Sequence, residues 1–182
     1  MGDDPVARFE AVYRETYDQI TAYAVRRCDS PQDAADAVAE TFAIAWRRVN
    51  DLPPGQEARL WLYGVARRVL ADHRRSAVRH RVRDVELDTE MADLYADAPD
   101  SGVGLSAVAA VFRTLTDDDR ELLSLVAWEG LERDEIATML GVSRNAVRIR
   151  LYRARRRFSR ALDEAGVRFE AKGRMIPAGR SL

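Results

Sequence analysis

The sequence holds one cysteine, Cys28, in 182 residues, which excludes an intrachain disulfide and fits a reducing compartment. It has two histidines, His73 and His80, and with one distant thiol they make no recognisable zinc set. A Gly-rich phosphate loop of the P-loop or dinucleotide type is missing. Acids are plentiful, but none stands beside a plausible nucleophile or base. No catalytic residue, metal or cofactor is therefore expected, and the chain reads as a non-enzyme. No apolar run is long enough to span a bilayer, and no signal-peptide pattern opens the chain. A cytoplasmic protein without membrane insertion is expected. Strand-like alternation and internal repeats are also absent. Lysine is almost absent: Lys172 is the one lysine among 29 basic residues. Arginine gives bidentate phosphate and guanine contacts that lysine cannot, although a GC-rich coding bias explains most of the skew.

What is present is a foldable composition, 47% hydrophobic and 32% charged. The net charge of −1 argues by itself against general nucleic-acid affinity. Its distribution says otherwise. Residues 67–83 hold seven Arg and one Asp, and residues 141–163 hold eight Arg and one Asp. Between them, residues 84–100 hold seven acids and no base. Two basic patches separated by an acidic stretch create local fields that the sum conceals.

Taken in order, Val6, Phe9, Tyr13, Tyr17, Ile20 and Ala24 recur at helical spacing and predict a first helix. Ser30-Pro31-Gln32-Asp33 is a strong helix start, with an N-cap serine, proline at the first helical position and an acid near N3. The helix it opens has Ala35, Val38, Phe42, Ala45 and Val49 as its expected inward stripe, with Trp46 beside it. Asp33, Asp36, Glu40 and Arg47 project the other way. NDLPPG (50–55) breaks the helix. A third helical stretch runs from Glu57 to about Arg83, with Ser76 a candidate break point. Trp61, Leu62, Val65, Ala66, Val69 and Leu70 form its core face. Tyr63, Arg67 and Arg74 line the outer face, with Arg59, Arg68 and Arg75 near them. An aromatic among bases suits single-stranded nucleic acid, since rings stack on bases while arginines hold phosphates; the alternative is an ordinary surface tyrosine and a core tryptophan.

Residues 84–104 are acidic and end in a Pro/Gly/Ser cluster, as an interdomain linker does, with Met91, Leu94 and Tyr95 a candidate amphipathic turn. A helix over 105–115 follows. Thr116 caps the next, with Asp117, Asp118 and Asp119 at its positive end. Ile136, Ala137 and Leu140 then give a short helix an apolar stripe. Gly141 permits a sharp turn, and Ser143 caps the last helix. Val147, Leu151, Ala154, Phe158 and Leu162 form that helix's buried face. Its opposite face presents Asn145, Ile149, Tyr152, Arg153 and Arg156, with Arg148 and Arg155 on the flank. A helix held from behind with an arginine-rich front is what a helix-turn-helix presents to the major groove. The expected fold is all-α: two small helical domains, 6–83 and 105–163, joined by the acidic linker 84–104. The second ends in the helix-turn-helix, and a mobile tail, 164–182, follows it.

The order of these elements resembles the extracytoplasmic-function (ECF) sigma factors, the compact sigma factors of bacterial RNA polymerase. Three stretches carry the resemblance. AADAVAETFAIAW (34–46) is similar to the family's core-polymerase-binding segment. ARLWLYGVARRVLADHRR (58–75) is similar to the segment that engages and melts the promoter's downstream element. EGLERDEIATMLGVSRNAVRIRLYRAR (129–155) is similar to the helix-turn-helix that reads the upstream element. Ala35 stands where the family usually has Glu, Ala39 where it has Gln, Arg68 where it often has Asn, and Glu132 where Ser or Thr caps a helix.

The resemblance implies a sigma factor that binds core RNA polymerase and directs promoter-specific initiation. Asp33, Asp36, Glu40, Phe42 and Trp46 would belong to the surface that docks the polymerase β′ clamp helices, with Phe42 as core support. The loop 50–56 and the face with Trp61, Tyr63, Arg67, Arg68, Arg74 and Arg75 would capture unpaired bases as the duplex opens. Arg144, Asn145, Arg148, Ile149, Tyr152 and Arg153 would meet the upstream element, with the outward Ile149 explained by a thymine-methyl or sugar contact. The β flap and an anti-sigma factor are the other partners implied. The acidic linker would thread toward the path of the transcript. Two other readings remain open on sequence: a stand-alone helix-turn-helix regulator, and a degenerate sigma-like protein that sequesters polymerase or an anti-sigma factor.

Overall fold

The computed structural model describes residues 4–83, 103–169 and 175–177. The helices are α1 (Pro5–Val25), α2 (Pro31–Arg47), α3 (Gln56–Arg83), α4 (Val103–Thr114), α5 (Asp117–Ala127), α6 (Arg133–Leu140) and α7 (Arg144–Glu164). A single 3₁₀ turn, Val49–Asp51, follows α2. The chain divides into two compact units, Met1–Leu87 with Asp134–Val142, and Asp88–Arg133 with Ser143–Leu182. The acidic stretch 84–100, with Met91, Leu94 and Tyr95, lies outside the described residues.

In the first unit, α1, α2 and α3 pack on one another. Capping chemistry fixes where they begin. Asp4 accepts from the Val6 amide at 3.0 Å. Ser30 Oγ accepts from the Asp33 amide at 3.1 Å and its hydroxyl donates to Asp33 Oδ2 at 2.7 Å, so serine and acid satisfy each other at the start of α2. Ile20, Tyr23, Ala45 and Leu62 lie at the centre, with no more than traces of exposed surface. Two buried threonines of this unit back-bond within their helices, Thr41 donating to the Ala37 carbonyl at 2.7 Å and Thr16 to the Val12 carbonyl at 2.6 Å, so their burial leaves no orphan donor there.

Two expectations change here, and a third feature is new. The buried arc of α2 is Ala34, Ala37, Val38, Thr41, Phe42 and Ala45. Ala35, expected inside, is exposed. Ala34 and Ala35 are chemically identical, so hydrophobicity alone cannot place the arc to within one residue. Helix α3 runs unbroken through Ser76. Finally, α1 is only half sunk: Tyr13 and Tyr17 are each 40% exposed and Trp46 of α2 is 46% exposed. These rings join Phe9 and Phe42 in one continuous strip, with centroid separations of 4.7 Å for Tyr13–Phe42, 5.1 Å for Tyr13–Tyr17 and 5.2 Å for Phe9–Trp46. Residues 134–142 also belong to this unit. Arg59 Nη2 donates to Glu135 Oε1 at 2.8 Å, and Gly64 faces the Met139 carbonyl with room for ordinary contact.

In the second unit, α7 packs along α5 and also meets α4. Thr116 caps α5 by accepting from the Asp119 amide at 3.3 Å, and Ser143 caps α7 by accepting from the Ala146 amide at 3.1 Å. Val147, Leu151, Ala154 and Leu162 are buried along one side of α7. Past Glu164 the chain does what no pattern suggested. Val167–Phe169 pairs antiparallel with Met175–Pro177, Arg168 opposite Ile176. Val167 is buried and closes a small core with Val111 and Leu162. Three-residue strands are too short for period-two alternation to register in sequence.

Candidate nucleic-acid and polymerase interfaces

Helix α7 presents the expected face. Asn145, Arg148, Arg153, Arg155 and Arg156 are exposed, Ile149 is 38% exposed and Tyr152 61%. They project outward because the other side of the helix is committed to the core. The face is partly organised. Arg148 donates to Asn145 Oδ1 from Nε at 3.2 Å and from Nη2 at 2.9 Å, which fixes the guanidinium plane against the first turn. Arg156 lies 5.8 Å from the Tyr152 ring centroid, a cation–π pairing one turn on. Arg133, Arg148, Ile149, Leu151, Tyr152 and Arg155 enclose a depression of about 340 Å³. Its floor is apolar and its rim carries three guanidinium groups. Such a surface can hold phosphates at its edge while an apolar base substituent fills the middle. Arg133 was missed on sequence, where it opens the short helix with nothing to mark it.

The long reach of α7 is anchored by a pair that sequence did not reveal. Arg157 Nη1 donates to Asp119 Oδ1 and Oδ2, both at 2.6 Å, and the Asp119 side chain is 6% exposed. The two residues are 38 apart, and three consecutive aspartates look alike in sequence. Only the fold selects Asp119.

On α3 the outward basic set is Arg68, Arg74 and Arg75, with Arg67 and Trp61 half-buried. Arg75 pairs with Asp72 one turn back. Arg48 lies 5.6 Å from the Trp61 ring centroid, so that ring is held from the loop side. Tyr63 is a correction. It is 2% exposed, packed against Tyr23 at 5.1 Å, and lies inside the first unit. A ring enclosed on both faces has none left to stack on a base. The spacing put Tyr63 on the outer face with Arg67 and Arg74, and packing against Tyr23 of α1 draws it in. Trp61, expected within the core face, is instead the aromatic that keeps partial access.

The acids of α2 are exposed, as expected, and each has a neighbour. Asp33 is occupied by the Ser30 cap. Asp36 Oδ1 accepts from Gln32 at 3.0 Å. Glu40 Oε2 meets His73 Nε2 at 2.8 Å, a link between α2 and α3. Phe42 is 5% exposed beneath Tyr13 and Tyr17, a support and not a contact. Cys28, between α1 and α2, has its thiol pKa raised by burial first, then by Asp33 and Asp29, against an opposing pull from Arg74. Among the described residues no group of three or more His, Cys, Asp or Glu could hold a metal ion. None of the described helices is long and apolar enough to cross a membrane.

Comparison with known proteins gives this geometry its context. Residues 12–80 match the family model for Sigma-70 region 2, and residues 105–158 match that for Sigma-70, region 4. The chain is 30% identical over 166 residues to the ECF RNA polymerase sigma factor SigL of Mycobacterium tuberculosis, covering 86% of this chain and 92% of that one. It is 33% identical over 153 residues to the RNA polymerase sigma factor CnrH of Cupriavidus metallidurans, covering 78% and 80%. It is also 33% identical over 138 residues to the ECF RNA polymerase sigma factor SigF of Caulobacter vibrioides, covering 75% of each. Among solved structures, CnrH in complex with the cytosolic domain of CnrY superposes with a TM-score of 0.60 at 26% identity, over 86% of this chain and 88% of that one. The sigma factor RpoE bound to the anti-sigma factor NepR from Bartonella quintana shares the fold, with a TM-score of 0.66 at 20% identity, over 85% and 96%.

Proposed function

The chain belongs to the ECF sigma factors of RNA polymerase, and from that premise we propose how its residues divide the work of selecting a promoter. A sigma factor of this family directs promoter-specific transcription initiation and is not itself an enzyme. Regions 2 and 4 in one chain, in order, carry this conclusion. They set aside the stand-alone regulator; a bare sequestering protein would carry the same two regions and differs in failing to initiate.

In the proposed division, residues 6–83 form the unit that docks polymerase and opens DNA, 84–104 the linker, and 105–163 the unit that reads the upstream element. Asp36, Glu40 and Trp46 on the exposed side of α2 contact the β′ clamp helices; Asp33 and Phe42 shape that surface. Trp61, Arg67, Arg68, Arg74 and Arg75 hold the opened strand at the downstream element. Arg144, Asn145, Arg148, Ile149, Tyr152 and Arg153 read the upstream element, and the β flap receives the second unit. The half-exposed ring of Trp61 beside exposed guanidinium groups supports strand capture. The arginine-rimmed depression on α7 supports groove reading. The complex of CnrH with the cytosolic domain of CnrY supports a protein partner beyond polymerase, an anti-sigma factor, for this chain as well. The site of action is the cytoplasm, where polymerase and DNA are.

Two weak DNA contacts on one polymerase act as a specific pair, because binding at one raises the local concentration at the other. Opening is driven by trapping unstacked bases, which costs a few kcal/mol per step. The test is run-off transcription with core polymerase and a promoter selected by the holoenzyme. Arg148→Ala with Arg153→Ala should lower initiation and upstream-element protection together, while co-purification with core polymerase stays normal. Equal loss of both activities would refute the division of labour.

A further inference from the structure

The arginine that lies against Trp61 is one that no sequence motif singled out. Arg48 caps the C-terminus of α2 and is tied twice to the 3₁₀ turn that follows. Its Nε donates to Asp51 Oδ2 at 3.0 Å, and the Asp51 amide donates to its carbonyl at 2.8 Å. The turn is itself pinned, since Val49 and Leu52 are buried on either side of the exposed Asn50 and Asp51. Pro53 and Pro54 restrict the backbone beyond it, and Gly55, at φ +59, turns the chain into α3. The position of Arg48 is thus built into the loop before any ligand arrives.

What the loop positions is a guanidinium group standing off an indole. Arg48 Cζ lies 5.6 Å from the Trp61 ring centroid, against 3.6 Å for Arg27 on the Tyr23 ring. The Arg27 pair is in direct contact; the Arg48 pair is not. A flat base between an indole and a guanidinium needs about 7 Å, twice the roughly 3.4 Å step of stacked bases. An outward shift of Arg48 by about 1.5 Å supplies that gap. Both tethered groups have room to give, with side-chain exposures of 49% for Arg48 and 58% for Asp51. The Asp51 carboxylate also offsets the charge of Arg48, which suits it to the face of a base better than to a phosphate. Phosphates have other partners: Arg68 and Arg75, both exposed, follow Trp61 at seven-residue steps along one side of α3.

We propose that Arg48 and Trp61 are the two walls of a slot for one unstacked base of the opened strand, with Asp51 as the tether that sets Arg48 in place. The inference rests on the strand-capture reading of α3 and deepens it: Arg48 becomes a contact residue and Asp51 a positioning residue. Unpaired bases stack on aromatic rings and on guanidinium planes alike, and every base has a flat face. The slot therefore fixes which nucleotide leaves the stack more than which base that nucleotide carries.

The experiment measures binding of the holoenzyme to a single-stranded oligonucleotide carrying the non-template strand of a promoter it selects. An abasic site is moved through the downstream element one nucleotide at a time, and each variant's thermal melt controls for folding. With the wild type, one abasic position should weaken binding about tenfold, the size of a lost stack. Arg48→Ala should weaken binding of the intact strand about fivefold or more, and should lose little further at that abasic position, because the two changes remove the same contact. Arg48→Lys keeps the charge without the plane and should fall nearly as far. Asp51→Asn should show a smaller loss that vanishes at the same abasic position. Equal weakening of intact and abasic strands by Arg48→Ala, restored by Arg48→Lys, makes Arg48 a phosphate contact and overturns the slot. A lowered melt with unchanged strand binding also overturns it, since Arg48 then only closes the turn. In either case, Trp61→Leu that still cancels the abasic effect leaves strand capture standing. Trp61→Leu that binds every strand as the wild type does overturns strand capture itself.

Discussion

Asp119 shows how much one residue depends on its neighbours. Asp117 and Asp118 are exposed, whereas the Asp119 carboxylate is buried against Arg157 with both oxygens engaged. A charge-assisted bond of this kind contributes about 1.5–3 kcal/mol. Asp119→Asn should therefore lower stability by that order in a urea melt, while Asp118→Asn should change it by less than about 0.5 kcal/mol. Cys28 gives a second test. Its thiol is held protonated by burial and by the carboxylates of Asp33 and Asp29. Alkylation by iodoacetamide at neutral pH should be slower in the folded chain than in urea. Because the folded pKa is raised, the proton is bound more tightly in the native state. That contribution is complete below the ordinary thiol value and is lost as pH climbs through the folded one. Stability should thus fall on the alkaline side, and Cys28→Ser should flatten the fall. Neither the Asp119 pair nor the raised thiol was legible in the sequence: the pair joins residues 38 apart, and burial, the largest cause of the thiol shift, comes only with packing. Tyr63 failed for the same reason: its burial is decided by Tyr23, forty residues away.

At the scale of elements, the legible parts were those with local chemistry. The Ser30–Asp33 start, the Thr116 cap and the Ser143 cap all hold in the fold, since a cap needs only its own next three residues. The turn before α7 is equally local: Gly141 has φ +65. Ser143→Ala should cost about 1 kcal/mol, and Gly141→Ala about 1–2 kcal/mol for a β-carbon in the left-handed region. Both would appear as lower midpoints in thermal denaturation. The buried face of α7 was legible too, because five apolar residues on one arc leave a single solution. The arc of α2 was less so, since its alanines surround the helix and dilute the pattern. The C-terminal strands had no signature. Their contribution is visible in Val167, which covers Val111 and Leu162.

For the whole molecule, the deciding quantity is where charge lies and not its sum. A protein with a net charge of −1 gains little from DNA at long range, so affinity must come from arginines delivered to phosphates by the fold. Each phosphate neutralised releases counterions and steepens the fall of log K with log salt by about 0.9. Arg148 and Arg153 should behave differently under this measurement. The Arg148 guanidinium is held by Asn145 Oδ1 at the start of α7, a fixed plane suited to a base edge. Arg153 stands further along α7 and is exposed, as a phosphate contact requires. With holoenzyme and promoter duplex, Arg153→Ala should reduce the salt slope by about one and weaken all sequences alike. Arg148→Ala should leave the slope nearly unchanged and relax preference at one position of the upstream element. If instead both substitutions changed only the slope, α7 would be a phosphate clamp, and sequence choice would rest on the downstream element alone.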